Sequence, residues 1–186
     1  MTQLQGKKIM ILVANGVDES VMSVVMREMT KSGAVVKTVG TETGLVNSWN
    51  DNAWGLYFPV DMPISQTLGA DFDCLMVLSG TRCVQKLSTN AHSERIITSF
   101  IMSGKPMAFI GNAVELLAKI NLASGWNVAG PEASQAVMTA AGATWAGNGP
   151  TVHNALLTGE GANVIEFLND MTAHFNNGAV EIKAAA

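Results

Sequence analysis

Apolar runs of strand length alternate along this sequence with segments of helical periodicity. Residues 9–14, 72–78 and 107–110 form three such runs, and together they contain a single charged residue, Asp73. Continuous runs of this kind are typical of parallel strands that are buried on both faces of a sheet. The alternation therefore predicts an α/β fold in which helices cover both faces of a mostly parallel central sheet.

The remaining predicted elements extend the same alternation. Strands are predicted over residues 34–39, 56–60, 126–129, 143–145, 151–153 and 155–158, and helices over 18–32, 91–103, 111–120, 132–141 and 163–175. The polar residues 40–52 predict a loop or small hairpin, and residues 147–150 predict a turn between two short strands. After residue 79 no helix is predicted until residue 91, so Cys83 is expected on a loop.

The length of 186 residues predicts one domain, with a core over about residues 7–175 and a frayed tail over 176–186. Hydrophobic residues make up 48% of the chain and charged residues 14%. A chain this apolar buries much of its surface in a compact core or in a subunit interface. We therefore expect a homo-oligomer, either a dimer or a larger assembly.

The charge balance limits the classes of partner. The formal net charge is −4 and no basic run occurs, which argues against nucleic acid or an anionic membrane surface as a partner. No apolar stretch approaches the length of a membrane span, and the run that follows the polar residues 1–8 is too short for a signal-peptide core. We therefore expect a cytoplasmic location.

Cysteine and histidine give no sign of a metal or cofactor site. The two cysteines, Cys74 and Cys83, form neither a disulfide framework nor a metal-binding spacing, and the three histidines are widely separated. We therefore expect no metal and no cofactor. Cys74 lies in a predicted strand and is interpreted as a buried core residue.

Residues 104–117 predict a turn, a short buried strand, a sharp bend and a helix. In α/β proteins the end of such a strand is a common place for a nucleophile or a phosphate site. The bend here carries Gly111, Asn112 and Ala113, and none of these side chains is a nucleophile. Either the free N–H groups of the bend bind a carboxylate or phosphate, or glycine merely accommodates a tight turn.

Three further residues are candidates for a site near this bend. Cys83 follows Gly80–Thr81 and is either incidental or an alternative nucleophile or redox thiol, with Arg82 lowering its pKa. Glu19 is either a pocket acid or a charge at a helix start. His153 can reach the pocket from a neighbouring strand.

Four stretches, in order along the chain, are similar to motifs of the ThiJ/PfpI superfamily, whose members have a class I glutamine-amidotransferase-like, flavodoxin-type fold. The stretches are residues 11–19, 72–80, 104–117, and 140–145 together with 154–161. The resemblance spans about residues 7–175 and implies a flavodoxin-like three-layer sandwich. In catalytic members a cysteine occupies the strand–helix bend, where the helix N-terminus lowers the thiol pKa, and a glutamate from the first loop often contacts it.

This sequence departs from that catalytic pattern. Gly111 stands where the cysteine would be, Asn112 stands where the histidine would be, and Ser79 replaces a glycine or the proline of the family's Pro-Gly-Gly turn. An ungapped count places Val21 at the position of the acid, and Glu19 fits only after a shift of two residues. The resemblance is closest to the domain appended to large-subunit catalases, in which the cysteine is typically absent.

The resemblance therefore implies a non-catalytic domain protein with a small-ligand, structural or stress-related role. Its predicted binding residues are Glu19, Gly80, Thr81, Gly111 and Asn112, and its predicted ligand is small and anionic. The alternative is a hydrolase, amidase or glyoxalase-like enzyme whose nucleophile has been relocated to Cys83. A third hypothesis is a redox or chaperone-type interaction module that binds partners without turnover.

Overall fold

The computed structural model describes residues 3–180 of the chain. Its strands are β1 Lys8–Val13, β2 Val17–Asp18, β3 Val35–Gly40, β4 Gly44–Asn50, β5 Ala53–Val60, β6 Met62–Pro63, β7 Cys74–Val77, β8 Met107–Ile110, β9 Asn127–Val128, β10 Thr144–Trp145, β11 Thr151–His153 and β12 Leu156–Gly159. Its α-helices are α1 Glu19–Lys31, α2 Thr81–Ser88, α3 Ala91–Ser103, α4 Glu115–Lys119, α5 Gln135–Ala140 and α6 Val164–Asn176. Short 3-10 turns occur at Ile64–Gln66, Gly69–Asp71, Gly111–Val114 and Glu132–Ser134.

Seven strands form the central sheet in the order β11-β12-β8-β7-β1-β3-β6. Every neighbouring pair in this sheet is parallel except β11 with β12. Leu12 of β1 pairs with Val39 of β3 and with Val77 of β7, so β1 has a partner along both edges. The predicted flavodoxin-like α/β fold, with a mostly parallel central sheet and helices on both faces, is confirmed.

Helix α1 forms where the sequence places a cap before a stripe of apolar residues. The Asp18 carboxylate accepts hydrogen bonds from the backbone N–H groups of Ser20 and Val21 and so satisfies the start of the helix. The buried side chains of α1 are Val21, Met22, Val25 and Met29. Full burial of one such side chain contributes about 1.5–3 kcal/mol to stability. The Asp18 cap and the buried apolar side chains of α1 together hold the loop after β1 against the sheet.

Strands β4 and β5 form an antiparallel hairpin that joins β2 in a separate three-stranded sheet. Residues 40–52, predicted to form a loop or small hairpin, contain only the first strand of this hairpin and its turn, and the predicted edge strand over 56–60 is part of its second strand. The turn predicted over residues 147–150 does not form a hairpin, because β10 pairs in parallel with β9 whereas β11 pairs with β12. A turn signal does not specify which strands pair.

Residues 81–88 form helix α2, where the sequence predicted no helix. The buried side chains of α2 are Cys83, Val84 and Leu87. Their spacing is helical, but three apolar positions within eight residues are too short a repeat to distinguish a helix from a loop. The prediction that Cys83 lies on a loop is therefore wrong.

The final helix, α6, ends within one residue of its predicted end. Beyond it, the Val180 N–H donates to Gly104 O at 2.8 Å. The rest of the predicted frayed tail, residues 181–186, lies outside the described residues. Within residues 3–180, no helix has the length and apolar character needed to cross a membrane.

Candidate functional site

The bend after β8 begins at Gly111, which is buried and has a φ of +63°. A Cβ atom placed on Gly111 would lie 2.9 Å from the Cβ of Ser79. The two residues meet because β7 and β8 are parallel neighbours that end at the same edge of the sheet. Both the left-handed backbone and the nearby Ser79 side chain therefore favour glycine at position 111. The position that the family resemblance assigns to a cysteine thus holds no side chain.

Gly80, just beyond β7, allows a second close approach of backbones. Its φ is +134°, and a Cβ atom there would lie 2.5 Å from Gly16 O and 2.8 Å from Asp18 N. The Asp18 N–H also donates to Ser79 O at 2.9 Å. The loop after β1 and the bend after β7 are therefore packed directly against each other.

Asn112 joins the bends that follow β7 and β8. Its Oδ1 accepts a hydrogen bond from the Gly80 N–H at 2.9 Å, and its Nδ2 donates to Thr81 Oγ1 at 3.3 Å. Both ends of the amide are thus engaged within the protein. Because a carboxamide does not titrate near neutral pH, Asn112 cannot act as a general acid or base.

An open pocket of about 700 Å³ lies at the carboxyl edge of the central sheet. It is lined by Gly16, Asp18, Ser20, Val21, Trp49, Asn50, Asp51, Ser79, Gly80, Thr81, Gly111, Asn112, Pro131, Glu160, Gly161, Ala162 and Val164. Ligands of open α/β sheets characteristically bind at this edge. Of the predicted site residues, Gly80, Thr81, Gly111 and Asn112 line the pocket, whereas Glu19, Cys83 and His153 are not part of its lining.

Glu19 points to the hairpin instead of the pocket. Its Oε2 accepts hydrogen bonds from the Leu56 N–H at 2.6 Å and from Ser48 Oγ at 2.7 Å, and its Oε1 accepts from Asn50 Nδ2 at 3.2 Å. These bonds, above all that from the Leu56 N–H, lower the pKa of Glu19 below its ordinary value. Glu19 therefore links α1 to the hairpin. The residue at the ungapped acid position, Val21, does line the pocket but is apolar.

Both cysteines are buried. Cys83 is fully buried, and its Sγ accepts a hydrogen bond from the Ala14 N–H at 3.3 Å. Burial raises the pKa of Cys83 to about 12, and burial likewise raises the pKa of Cys74 to about 12. Since the thiolate is the nucleophilic form, burial and the raised pKa disfavour reaction of both thiols near neutral pH. Arg82, expected to activate Cys83, stacks on the hairpin instead, with its guanidinium 4.1 Å from the centre of the Trp49 ring.

The predicted candidate His153 lies on β11, the edge strand of the central sheet, and does not line the pocket. Its Nδ1 accepts a hydrogen bond from the Asn127 N–H at 3.0 Å, and its ring packs edge-on against Trp126 with centroids 5.5 Å apart. These contacts join β11, which carries His153, to β9. His153 is therefore a packing residue in this structure.

The acidic residues of the pocket were not predicted from the sequence. Asp18, Asp51 and Glu160 all belong to the lining. The sequence signal for Glu160 was its position between two glycines at the end of β12, the strand beside β8. Asp51 lies at the tip of the hairpin with a φ of +49°, and nothing local in the sequence connects it to the central sheet.

The hairpin contributes an aromatic wall to the pocket. Trp49 lines the pocket and packs edge-on against Trp54, with ring centroids 5.2 Å apart and an interplanar angle of 88°. Its indole N–H donates to Asp51 O at 2.9 Å. The Trp49 ring therefore has a defined orientation at the rim.

A family model described as the DJ-1/PfpI family matches residues 7–174 of this chain. A search of curated proteins finds no match. The matching region contains β1, β7 and β8, whose ends carry Gly16, Gly80 and Gly111.

Solved structures share the fold over nearly the whole chain. DJ-1beta from Drosophila melanogaster is 17% identical, with 92% of this chain and 91% of that chain covered and a TM-score of 0.82. A ThiJ/PfpI domain protein from Brachyspira murdochii is 16% identical, with 93% and 98% covered and a TM-score of 0.81. A two-domain protein from Anabaena variabilis, containing DJ-1/ThiJ/PfpI-like and ferritin-like domains, is 19% identical, with 92% of this chain covered and a TM-score of 0.80; this chain spans only 47% of it. At these identities the similarity shows the fold alone.

Proposed function

This chain belongs to the DJ-1/PfpI family, and from that premise we propose that it is a non-catalytic member that binds a small polar molecule in the pocket beside Gly111. The geometry of Gly111 carries this proposal. A side chain at this position is disfavoured by Ser79, whose Cβ is 2.9 Å from the site of a Cβ on Gly111. The bend therefore presents no nucleophile to the pocket.

The remaining groups support the same proposal. Asn112 holds the two bends together through Gly80 and Thr81 and does not titrate. The thiol of Cys83 is buried in α2 with a pKa raised to about 12, so an enzyme with its nucleophile relocated to Cys83 finds no support. Burial and the raised pKa of Cys83 also argue against a redox role for this thiol.

The broader role is also a proposal. We propose that the chain is a relative of the domain appended to large-subunit catalases and serves a structural or stress-related function as a cytoplasmic homo-oligomer. The local sequences over residues 11–18 and 115–117 support the relation to that branch. The exposed apolar strand β5, with Leu56 and Tyr57 more than half exposed, supports assembly.

Activity assays test the absence of catalysis. The purified chain, incubated with glyoxals, esters and small peptides, should give no turnover above a heat-treated control. Native iodoacetamide labelling should leave Cys83 unmodified, and the unfolded chain should label fully, which serves as the positive control.

Turnover that is reproducible and saturable would overturn the proposal. If such turnover is lost in Cys83→Ser but kept in Cys74→Ser, the relocated nucleophile is the correct alternative. If both variants keep it, the active group lies elsewhere in the pocket.

A further inference from the structure

Three asparagines of this chain are followed directly by glycine: Asn15, Asn148 and Asn177. In such a pair the backbone nitrogen of the glycine attacks the side-chain amide of the asparagine and displaces ammonia, because glycine has no Cβ to obstruct the approach. The reaction needs a glycine N–H that is free to lose its proton and a side-chain amide that is free to turn towards it. The hydrogen bonds of each pair therefore decide which of the three reacts.

The pair formed by Asn15 and Gly16 is engaged on both sides of the reaction. Gly16 is buried, and its N–H donates to Asn47 O at 2.8 Å. The Asn15 Oδ1 accepts a hydrogen bond from the Asn47 N–H at 2.7 Å. Strand β4 thus holds both the nucleophile and the amide that it would attack, so this pair should be stable.

The pair formed by Asn177 and Gly178 is engaged at its nucleophile. Asn177 follows the last residue of α6, and the Gly178 N–H donates to Phe175 O at 3.4 Å. This hydrogen bond must break before the Gly178 nitrogen reacts. Because it is longer than the bond made by Gly16, it should protect the pair less well.

The pair formed by Asn148 and Gly149 has an exposed nucleophile. Both residues are exposed on the loop between β10 and β11. The Asn148 carbonyl accepts the Glu160 N–H at 2.9 Å. Since a trans peptide points its N–H opposite to its carbonyl, the Gly149 N–H points away from Glu160. Within residues 3–180 this N–H donates to no other backbone group, so it is open to water.

The side-chain amide of Asn148 is held only weakly. Its Nδ2 donates to Glu160 Oε2 at 3.3 Å, and Glu160 belongs to the pocket lining. An exposed hydrogen bond of this length is readily exchanged for one to water. The amide is therefore free to turn towards the Gly149 nitrogen.

We propose that Asn148 is a site of spontaneous deamidation. The Gly149 nitrogen forms a bond to Asn148 Cγ, the Cγ–Nδ2 bond breaks, and ammonia leaves with the proton that the Gly149 N–H gives up. Water then opens the resulting succinimide ring at one of its two carbonyls. Attack at Cγ yields an aspartate in a normal chain, and attack at the backbone carbon yields an isoaspartate whose chain runs through Cγ. This assignment goes beyond the proposed function and does not depend on it.

The aspartate places a new carboxylate beside an existing one. The Asn148 Nδ2 that donates to Glu160 Oε2 at 3.3 Å is replaced by an oxygen. Two like charges at this separation repel each other. Glu160 therefore loses its hydrogen bond, and the loop between β10 and β11 separates from the rim of the pocket.

Peptide mapping by mass spectrometry tests the site. The purified full chain is kept in mildly alkaline buffer, and each asparagine–glycine pair is followed for the mass increase that accompanies exchange of an amide for a carboxylate. Asn148 should be converted first, Asn177 more slowly and Asn15 not measurably. In guanidinium chloride the three pairs should react at similar rates, which shows that the fold sets the order.

Gly149→Ala is the matched variant for the mechanism. A Cβ at position 149 has nothing within 4 Å, and the backbone there is outside the left-handed range, so the fold should be unaffected. The added methyl group nevertheless obstructs the attack on Asn148. When the wild type has converted half of its Asn148, this variant should show no conversion at that residue, whereas Asn177 should react as before.

Two replacements of Asn148 isolate the effect of the new charge. Asn148→Asp adds the carboxylate, whereas Asn148→Ala removes the same hydrogen bond without adding charge. The midpoint of thermal unfolding of Asn148→Asp should be lower by about 1–3 °C. This gap should close in high salt, which screens exposed charges, and in a Glu160→Gln background.

The opposite outcomes overturn the assignment. Conversion of Asn15 or Asn177 ahead of Asn148 means that a free glycine N–H does not govern the reaction in this fold. Absence of conversion at Asn148 in the folded chain, while the unfolded chain reacts, rejects the site. Unchanged conversion in Gly149→Ala rejects attack by the glycine nitrogen. Equal midpoints of Asn148→Asp and Asn148→Ala reject the effect on Glu160.

Discussion

Ser79 and Gly111 lie close together where β7 and β8 end, and a side chain at position 111 would overlap that of Ser79. The Cβ of Ser79 lies 2.9 Å from the place where a Cβ on Gly111 would be. A side chain at position 111 must displace Ser79 or distort the bend, and both responses cost free energy. The consequences of a substitution at 111 therefore depend on the residue at 79.

Gly111→Ala should lower the free energy of unfolding by about 2–5 kcal/mol, of which the positive φ accounts for about 1–2 and crowding against Ser79 for about 1–3. Gly125→Ala is the matched control, because Gly125 has a φ of +82° but nothing within 4 Å of its Cβ position. The control should lose only about 1–2 kcal/mol. Urea denaturation of both variants measures the difference.

A double variant separates the crowding from the backbone effect. Ser79→Gly combined with Gly111→Ala should be less destabilised than the sum of the two single changes, since Ser79→Gly removes the atom that the new Cβ meets. Additive losses would show that Ser79 does not limit position 111.

Glu19 is expected to make stability depend on pH. Its hydrogen bond from the Leu56 N–H, followed by that from Ser48, holds its pKa below the ordinary value of 4.5. The unfolded chain regains the ordinary pKa, so the ionised carboxylate stabilises the fold at pH values above 4.5. This contribution is lost as the pH falls through the lowered pKa of the folded state. Wild type should therefore exceed Glu19→Gln in stability by more near about pH 7 than near about pH 3.

Urea denaturation of both proteins at the two pH values measures that effect. Glu94→Gln, a change at an exposed acid in the first turn of α3, controls for the loss of one surface charge. The explanation fails if the difference between wild type and Glu19→Gln is the same at both pH values.

Individual residues of the site were only partly predictable from sequence. Gly80, Thr81, Gly111 and Asn112, which line the pocket, could be predicted to lie near it because each follows an apolar run that ends at a turn, which is a local signal. The direction in which a side chain points, by contrast, depends on residues that are distant in the sequence. Glu19 sits where a pocket acid was expected, but Ser48 and Leu56 of the hairpin turn its carboxylate away from the pocket.

At the scale of single elements, strand β5 is exposed and apolar. Its eight residues, Ala53–Val60, carry no charge, and it lies at the end of the order β2-β4-β5. Trp54, Leu56 and Tyr57 are 51%, 59% and 65% exposed. Soluble proteins usually protect such an edge with charges, bulges or a partner. The strand is therefore the element best suited to form the predicted contact between copies of the chain.

Tyr57→Lys should shift the protein from an oligomer to a monomer, because a lysine on a strand edge opposes pairing between strands. Size-exclusion chromatography with light scattering measures the molar mass. Met102→Lys, in α3, is the matched control, since Met102 is 73% exposed and lies outside the hairpin. A monomeric wild type, or equal dissociation by the control, would contradict assembly through β5.

Elements differ in how clearly the sequence marks them. Strands β1, β7 and β8 are uninterrupted apolar runs, and a central parallel sheet is their natural position. Helix α2 is short and presents polar side chains on its outer face, so its helical period was hidden. The pairing of β10 with β9 was equally hidden, because two-residue strands are selected by their tertiary neighbours.

On the scale of the whole molecule, the sheet order explains why the pocket lies where it does. Strands β1, β7, β8 and β12 end at one edge, and their loops bring Gly16, Ser79, Gly111 and Glu160 to a common opening. The fold class was predictable because it follows from alternation and apolar runs. The charge of the pocket was not, because Asp18, Asp51 and Glu160 become neighbours only through the folded chain.

The tight contact between positions 79 and 111 also bears on whether the bend could carry a thiol. A cysteine placed at position 111 by a single replacement would meet the Cβ of Ser79 and should lower the stability of the fold. Replacement of Ser79 by glycine in the same chain should relieve that contact. If the double variant shows this coupling, the residue at position 79 decides whether the bend tolerates a thiol.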